Sequence, residues 1–204
     1  MEVMETENEE SLSGEELYRR FRAGDEIAFE KIVGLYRESL TRYILRFISD
    51  VHDAEELLID AFAELAVDKK YKGQSSLKTY LFSIGRNITL KHVRKYKLFD
   101  TVPVDDIAYE AEDQNNPVDV NILIEEEKKQ VDSAMRSLKQ EYREVLHLIY
   151  FEDMSYADAG QTMQKSVKQI TALAHRAKKS LRSLLENEGA GNGTGFARHD
   201  ISGQ

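Results

Sequence analysis

Apolar residues recur three and four positions apart along most of this chain, and no segment of its first half alternates with period two. That spacing predicts helices and no strands. Ser13-Gly14-Glu15-Glu16 reads as a capping box opening a helix that runs to about Ala23. Gly24-Asp25 restarts the chain. Ile27, Phe29, Ile32, Val33, Leu35, Tyr36, Leu40, Tyr43, Ile44 and Phe47 then continue at helical spacing. Asp53-Ala54-Glu55-Glu56 is read as the cap of a third helix with a buried stripe of Leu57, Leu58, Ala61, Phe62 and Leu65. After a basic loop at 69–76, a fourth helix is expected from about Leu77 to Lys97, with Leu77, Leu81, Ile84 and Ile88 on one side. A second unit starts at Asn116-Pro117, with proline in the first turn of a helix. Its helices are expected at about 118–137, 140–151, 155–163 and 166–186. The fold class is all-α, with two small helical domains joined by a flexible acidic linker. The expected boundaries are an acidic N-terminus at 1–12, a first domain at 13–98, a linker at 99–116, a second domain at 117–186 and a Gly-rich disordered tail at 187–204.

Charge changes the picture more than composition does. Of 204 residues, 41% are hydrophobic, enough for packed cores, and 32% are charged. The net charge of −9 alone argues against a nucleic-acid partner. Its distribution argues for one. Residues 1–16 hold seven acids and no base, and residues 100–127 hold ten acids and no base. Residues 69–99 hold nine Lys or Arg and no acid, and residues 165–182 hold six and no acid. Phosphate binding depends on local potential, which an average hides. The chain has no cysteine, which excludes disulfides and thiolate metal sites. It carries no signal peptide and no run long enough to span a membrane, so membrane insertion is not expected and the location read from it is cytoplasmic.

Two constellations stand out. Ser155-Tyr156-Ala157-Asp158 caps a short helix, Gln164-Lys165 makes a tight turn, and Ser166-Val167-Lys168-Gln169 caps a longer one. In the longer helix Val167, Ile170, Ala174, Ala177, Leu181 and Leu184 can face inward. Lys168, His175, Lys178, Lys179 and Arg182 fall on the other side. This is the layout of a helix-turn-helix, whose second helix enters the major groove; an ordinary antiparallel helix pair has the same spacing. In the other constellation, Tyr71, Tyr80, Phe82 and Tyr96 are interleaved with Lys69, Lys70, Lys72, Lys78 and Arg86, beside Gln74-Ser75-Ser76. Aromatic faces stack bases while cations follow the backbone. Taken singly, Tyr80 and Phe82 read better as core.

Leu17-Tyr-Arg-Arg-Phe-Arg-Ala-Gly-Asp-Glu-Ile-Ala-Phe-Glu30 and Asp53-Ala-Glu-Glu-Leu-Leu-Ile-Asp-Ala-Phe62 resemble region 2 of the extracytoplasmic-function sigma factors of the sigma-70 family. Ser75-Ser-Leu-Lys-Thr-Tyr-Leu-Phe-Ser-Ile-Gly-Arg-Asn87 is similar to that region's DNA-melting segment. Tyr142-Arg-Glu-Val-Leu146, Ser155-Tyr-Ala-Asp158 and His175-Arg-Ala-Lys-Lys-Ser-Leu181 resemble region 4. The resemblance implies that core RNA polymerase is a partner, through its β′ clamp helices and its β subunit. It places that contact on Asp53, Glu55, Glu56, Ile59, Asp60, Ala63 and Glu64. It implies that Lys72, Gln74, Ser75, Ser76, Lys78, Tyr80, Arg86, Asn87, Lys91, Arg94 and Lys95 read and open the minus-ten element of promoter DNA. Ser166, Lys168, Gln169, Thr171, Ala172, His175, Arg176 and Lys179 would contact the minus-thirty-five element. An anti-sigma factor is a further implied partner, and no cofactor or metal is implied. The extended linker could span roughly 60 Å at ~3.3 Å per residue, more than one ~34 Å duplex turn.

Several positions depart from the family pattern. Ile59 replaces a polar residue, Glu64 a base, Ala66 a Trp, and Tyr80 a Trp. In region 4, Ala159-Gly160 stands for an apolar residue and Ala, Gln164 for the turn glycine, and Thr171-Ala172-Leu173 for polar and basic residues. Promoter choice is therefore expected to lean on the minus-ten segment and the polymerase. Two other readings use the same residues. One is a helix-turn-helix regulator that binds duplex without polymerase, and the other is a helical adaptor for acidic proteins. An enzyme is not expected, because the chain has no phosphate loop, paired-histidine metal helix or nucleophile elbow.

Overall fold

The computed structural model describes residues 12–67, 70–99 and 131–191, and all regular structure among them is helical. The helices are α1 (Gly14–Arg22), α2 (Glu26–Ile44), α3 (Val51–Val67), α4 (Leu77–Phe99), α5 (Gln140–Tyr150), α6 (Tyr156–Met163) and α7 (Val167–Gly191). Residues 131–136 are helical as well. The acidic N-terminus, nearly all of the expected linker and the expected helix start at Pro117 lie outside the described residues.

Local chemistry sets most of the boundaries. Ser13 caps α1 by accepting the Glu16 N–H at 3.2 Å. The Glu16 carboxylate does not return to the cap; it pairs with Arg19 and Arg20 instead. Gly24, at φ +105°, makes the reversal that Asp25 follows by capping α2 through the Ala28 N–H. The expected cap of the third helix was misplaced. Asp50 holds that position, accepting the N–H groups of His52 at 2.8 Å and Asp53 at 3.0 Å. Asp53 instead lies in the first turn, where its charge suits the positive end of the helix dipole. The start of α4 is closed from two sides. Ser76 Oγ accepts the Thr79 N–H at 3.0 Å, and the Glu15 carboxylate of α1 accepts the Leu77 N–H at 2.7 Å. At the other end of the chain, α7 continues to Gly191, past the expected tail boundary at 187. Extending an established helix costs far less than nucleating one.

The four N-terminal helices bury Leu17, Ile32, Leu40, Ile44, Leu65, Leu77 and Leu81, as the helical periodicity requires. All five residues expected in the α3 stripe are buried. The C-terminal group buries Val145, Leu148, Ala159, Met163, Ile170, Ala174 and Ala177. Val167 departs from the expected inward set: it is 51% exposed, because the chain is still entering the helix there.

The turn between α6 and α7 has its own chemistry. Gln164 takes the left-handed conformation, φ 55° and ψ 43°, that a glycine would adopt at less cost. The Lys165 N–H bonds back to the Gly160 carbonyl at 2.8 Å, and a Cβ on Gly160 would sit 2.7 Å from the Lys165 carbonyl oxygen. Gly160 is needed for that close approach.

The two helical groups do not stand apart in this structure. Helix α6 packs against α4, and one continuous apolar core joins both groups.

Candidate nucleic-acid interface

Helix α4 and the loop before it carry the first basic surface. Lys72, Gln74, Ser76, Asn87, Lys91, Arg94 and Lys95 are exposed, while Ser75, Lys78, Tyr80 and Arg86 are half-buried. The aromatic residues separate into two roles. Phe82 is fully buried, with its ring centroid 5.1 Å from that of Tyr43, so it is core. Tyr71 meets Tyr18 edge-on at 5.2 Å and Tyr80 at 5.0 Å, and its hydroxyl donates to the Ser75 carbonyl at 2.8 Å. Burial, reinforced by Glu15, pushes the Tyr71 phenol up to about 12. This aromatic stack fixes the Gln74–Ser76 loop. Tyr96 is the aromatic left to solvent, 54% exposed with its ring 4.5 Å from that of His92.

The second basic surface lies on α7. Ser166, Lys168, Gln169, Thr171, Ala172, His175, Arg176 and Lys179 are all exposed, so the expected recognition face is brought together on one side. Leu173 is buried beneath it. Some polar atoms already serve the helix. Ser166 Oγ accepts the Gln169 N–H at 3.3 Å, and Gln169 Oε1 accepts the Ser166 N–H at 2.8 Å, which is a complete capping box. Thr171 and Arg176 bond to carbonyls four residues back.

Elsewhere on the N-terminal group, α3 exposes Glu55, Glu56, Ile59, Asp60, Ala63 and Glu64, with Asp53 half-buried beside His92 at 3.4 Å. Ile59 is 66% exposed among these acids. An open groove between α3 and α4 has Leu57, Asp60 and Glu64 on one bank and Ile88, Lys91, His92 and Lys95 on the other. Its banks carry opposite charge.

Three side chains expected to contact DNA, Lys78, Arg86 and Asn87, meet others that the sequence did not single out, Glu144 and Glu152 among them, in the contact between the two groups. The Tyr43 hydroxyl donates to Glu144 Oε1 at 2.9 Å, and Arg86 forms an ion pair with the same carboxylate. Lys78 Nζ sits 2.8 Å from Glu152 Oε2, and the Thr79 hydroxyl donates to Asp158 Oδ1 at 3.0 Å. Gln164 donates to Asn87 Oδ1 at 3.1 Å. The sequence signal was a pair of acids, Glu144 and Glu152, flanking the apolar run of α5 with no Lys or Arg at helical spacing to pair them.

His147 lies at the centre of this contact, fully buried between the rings of Tyr43 and Phe151. Its Nε2 is 3.3 Å from Glu152 Oε1 but off hydrogen-bond geometry, and neither ring nitrogen has a hydrogen-bond partner among the described residues. Burial is the main cause of its depressed pKa, below the ordinary 6.5; Arg46, just past α2, and Arg42 within that helix act the same way, and Glu152 opposes them. Glu152 is itself held below 4.5, because His147 and the Lys78 ammonium together outweigh the opposing effect of burial. For a base with a depressed folded pKa, the unfolded or opened chain binds the proton more readily. The packed form therefore loses stability as pH falls below 6.5, and Glu152 adds a second loss below 4.5. Thermal unfolding between about pH 7.5 and 5.5 should show a falling midpoint, and a His147→Gln variant should show a flatter profile. A flat wild-type profile would contradict this assignment.

The described residues thus present two exposed basic surfaces, one of them in a helix-turn-helix, and a separate exposed acidic face on α3. Residues 32–98 match the family Sigma-70 region 2, and residues 128–181 match Sigma-70, region 4. The ECF RNA polymerase sigma factor SigM of Bacillus subtilis is 28% identical over 78% of this chain and 95% of its own length. SigW of the same organism is 24% identical over 83% of this chain and 95% of its own. Among solved structures, the sigma factor RpoE of Bartonella quintana, in complex with the anti-sigma factor NepR, shares the fold at a TM-score of 0.61 and 23% identity. That match covers 78% of this chain and 96% of RpoE. CnrH, in complex with the cytosolic domain of CnrY, gives 0.61 and 21%, covering 84% of this chain and 96% of CnrH. The chain belongs to the extracytoplasmic-function sigma factors of the sigma-70 family.

Proposed function

We propose that this chain binds core RNA polymerase and directs promoter-specific transcription initiation, with region 2 opening the minus-ten element and region 4 contacting the minus-thirty-five element. The observation that carries this reading is the matched pair of sigma regions in one chain. The outer face of α3 is assigned to the β′ clamp helices, and the β subunit is a further partner. Flipping a base out of the stack costs a few kcal/mol. Polymerase anchoring and stacking beside the Gln74–Ser76 loop must offset that cost. The α7 face supplies Lys168, His175, Arg176 and Lys179 for phosphates, but Ala172 and the buried Leu173 leave its front with fewer polar groups. Promoter choice therefore leans on the minus-ten segment.

The chain acts by binding and carries out no covalent chemistry of its own. An anti-sigma factor controls its access to polymerase, and it works in the cytoplasm. No helix among the described residues is long and apolar enough to cross a membrane.

Replacing Lys91, Arg94 and Lys95 together by Ala tests the placement of the DNA surface. All three are exposed. Each cation–phosphate pair removed should reduce the slope of log affinity against log salt by roughly 0.7–0.9. Open-complex formation measured across a salt series should therefore weaken in the triple variant and depend less on salt, with the slope reduced by about 2–3. Unchanged affinity and slope would move the DNA surface elsewhere.

A further inference from the structure

Lys78, Arg86 and Asn87, on the helix assigned to strand opening, are the side chains that the C-terminal group occupies. The two cations are each met by a carboxylate, which resembles a backbone phosphate in charge and in its acceptor oxygens. Arg86, its side chain only 12% exposed, is paired with Glu144 at 3%. Its Nη2 also reaches Glu144 Oε2 at 3.4 Å. Lys78 donates to the Glu152 carbonyl at 2.8 Å as well as to its carboxylate. Thr79 meets Asp158, and Asn87 meets Gln164. Guanidinium and ammonium groups bind carboxylate and phosphate oxygens with the same geometry. The recognition face of α7, by contrast, is left entirely exposed. The closure thus covers one DNA surface and spares the other.

We propose that Glu144, Glu152 and Asp158 form an intramolecular latch that stands in for DNA phosphates and holds the strand-opening surface of α4 shut in the free chain. The inference rests on the reading of α4 as that surface. Opening exchanges carboxylates for phosphates on the same cations, so the switch needs no refolding of either helical group. Tyr43 sets its specificity: its hydroxyl donates to Glu144 while its ring packs on Phe82 and His147. A carboxylate buried there is costly unless Arg86 and Tyr43 both engage it. Polymerase or a melted strand must therefore compete with a closed contact, and duplex binding through α7 need not.

The test uses the full chain with donor and acceptor dyes on Glu30→Cys and Ser183→Cys, both exposed positions in a protein without native cysteine. Glu144→Lys places a cation against Arg86. It should lower energy transfer between the dyes and raise affinity for a fluorescent single-stranded oligonucleotide by roughly tenfold or more. Glu144→Gln, which keeps size and removes only the charge, should do the same more weakly, and it decides the matter if the lysine variant loses its helical signal. Initiation should be retained in both variants at saturating core polymerase, because Glu144 lies outside the surfaces assigned to DNA and polymerase. Transfer and oligonucleotide affinity equal to wild type in a folded variant would overturn the latch. Failure of wild-type chain to initiate with polymerase would instead strike the sigma reading, since the distance measurement contains no polymerase.

Discussion

Ile59→Asp should weaken assembly with core RNA polymerase by roughly thirtyfold or more, while leaving the fold intact. Ile59 is 66% exposed at the middle of the acidic outer face of α3, between Glu55, Glu56, Asp60 and Glu64. An apolar side chain gains nothing from water there, and it breaks a field of like charge. Interfaces concentrate their energy in a few central side chains surrounded by a polar rim, and losing such a centre costs about 2 kcal/mol or more. That figure is about a thirtyfold change in affinity. Substituting a fifth acid removes the apolar contact and leaves a desolvated charge in its place. Because Ile59 lies outside the buried core, the unfolding free energy should change by less than about 0.5 kcal/mol. Titration of labelled chain into core polymerase, beside a urea melt, separates the two quantities. Affinity within about threefold of wild type would remove α3 from the docking role.

Phe82→Ala should destabilise the chain by about 3–5 kcal/mol, the usual range for deleting a buried phenyl group. Phe82 is fully buried, packs 5.1 Å from Tyr43, and lies under the Lys78 ammonium at 5.6 Å. It therefore supports the N-terminal core and the platform on which α5 closes. Against a typical domain stability of about 5–15 kcal/mol, such a loss leaves a marginal protein. Urea unfolding checks the magnitude. A loss below about 1 kcal/mol, combined with loss of strand opening, would make Phe82 a base-stacking residue after all.

Most of the helical fold was legible because amphipathic spacing and caps are local. Ser13, Ser155 and Ser166 cap helices where the sequence placed them, and the α3 stripe is buried as its period requires. The misplaced α3 cap shows the limit of local reading. Asp50 and Asp53 are equally good cap residues by type, and only the backbone geometry chooses Asp50. The candidate site was read as two faces, one per basic segment, and every residue expected on the α7 face is exposed. What could not be read was the partnership between them. Tyr43, 101 positions from Glu144, and Lys78, 74 positions from Glu152, meet only through tertiary packing. No local pattern encodes such pairs. The aromatic interleaving of the first basic segment was ambiguous for a related reason. Helical periodicity places Phe82 inward and Tyr96 outward, and stacking chemistry alone cannot distinguish a core ring from a base platform.

The most direct test mixes the full-length chain with core RNA polymerase on fragmented genomic DNA and maps transcript 5′ ends. The expected result is initiation at a discrete set of sites that require both chain and polymerase. Those sites should share an upstream minus-ten element more strictly than a minus-thirty-five element. Transcripts no different from those of core polymerase alone, or tight sequence-specific duplex binding that polymerase does not alter, would contradict the assignment as a sigma factor.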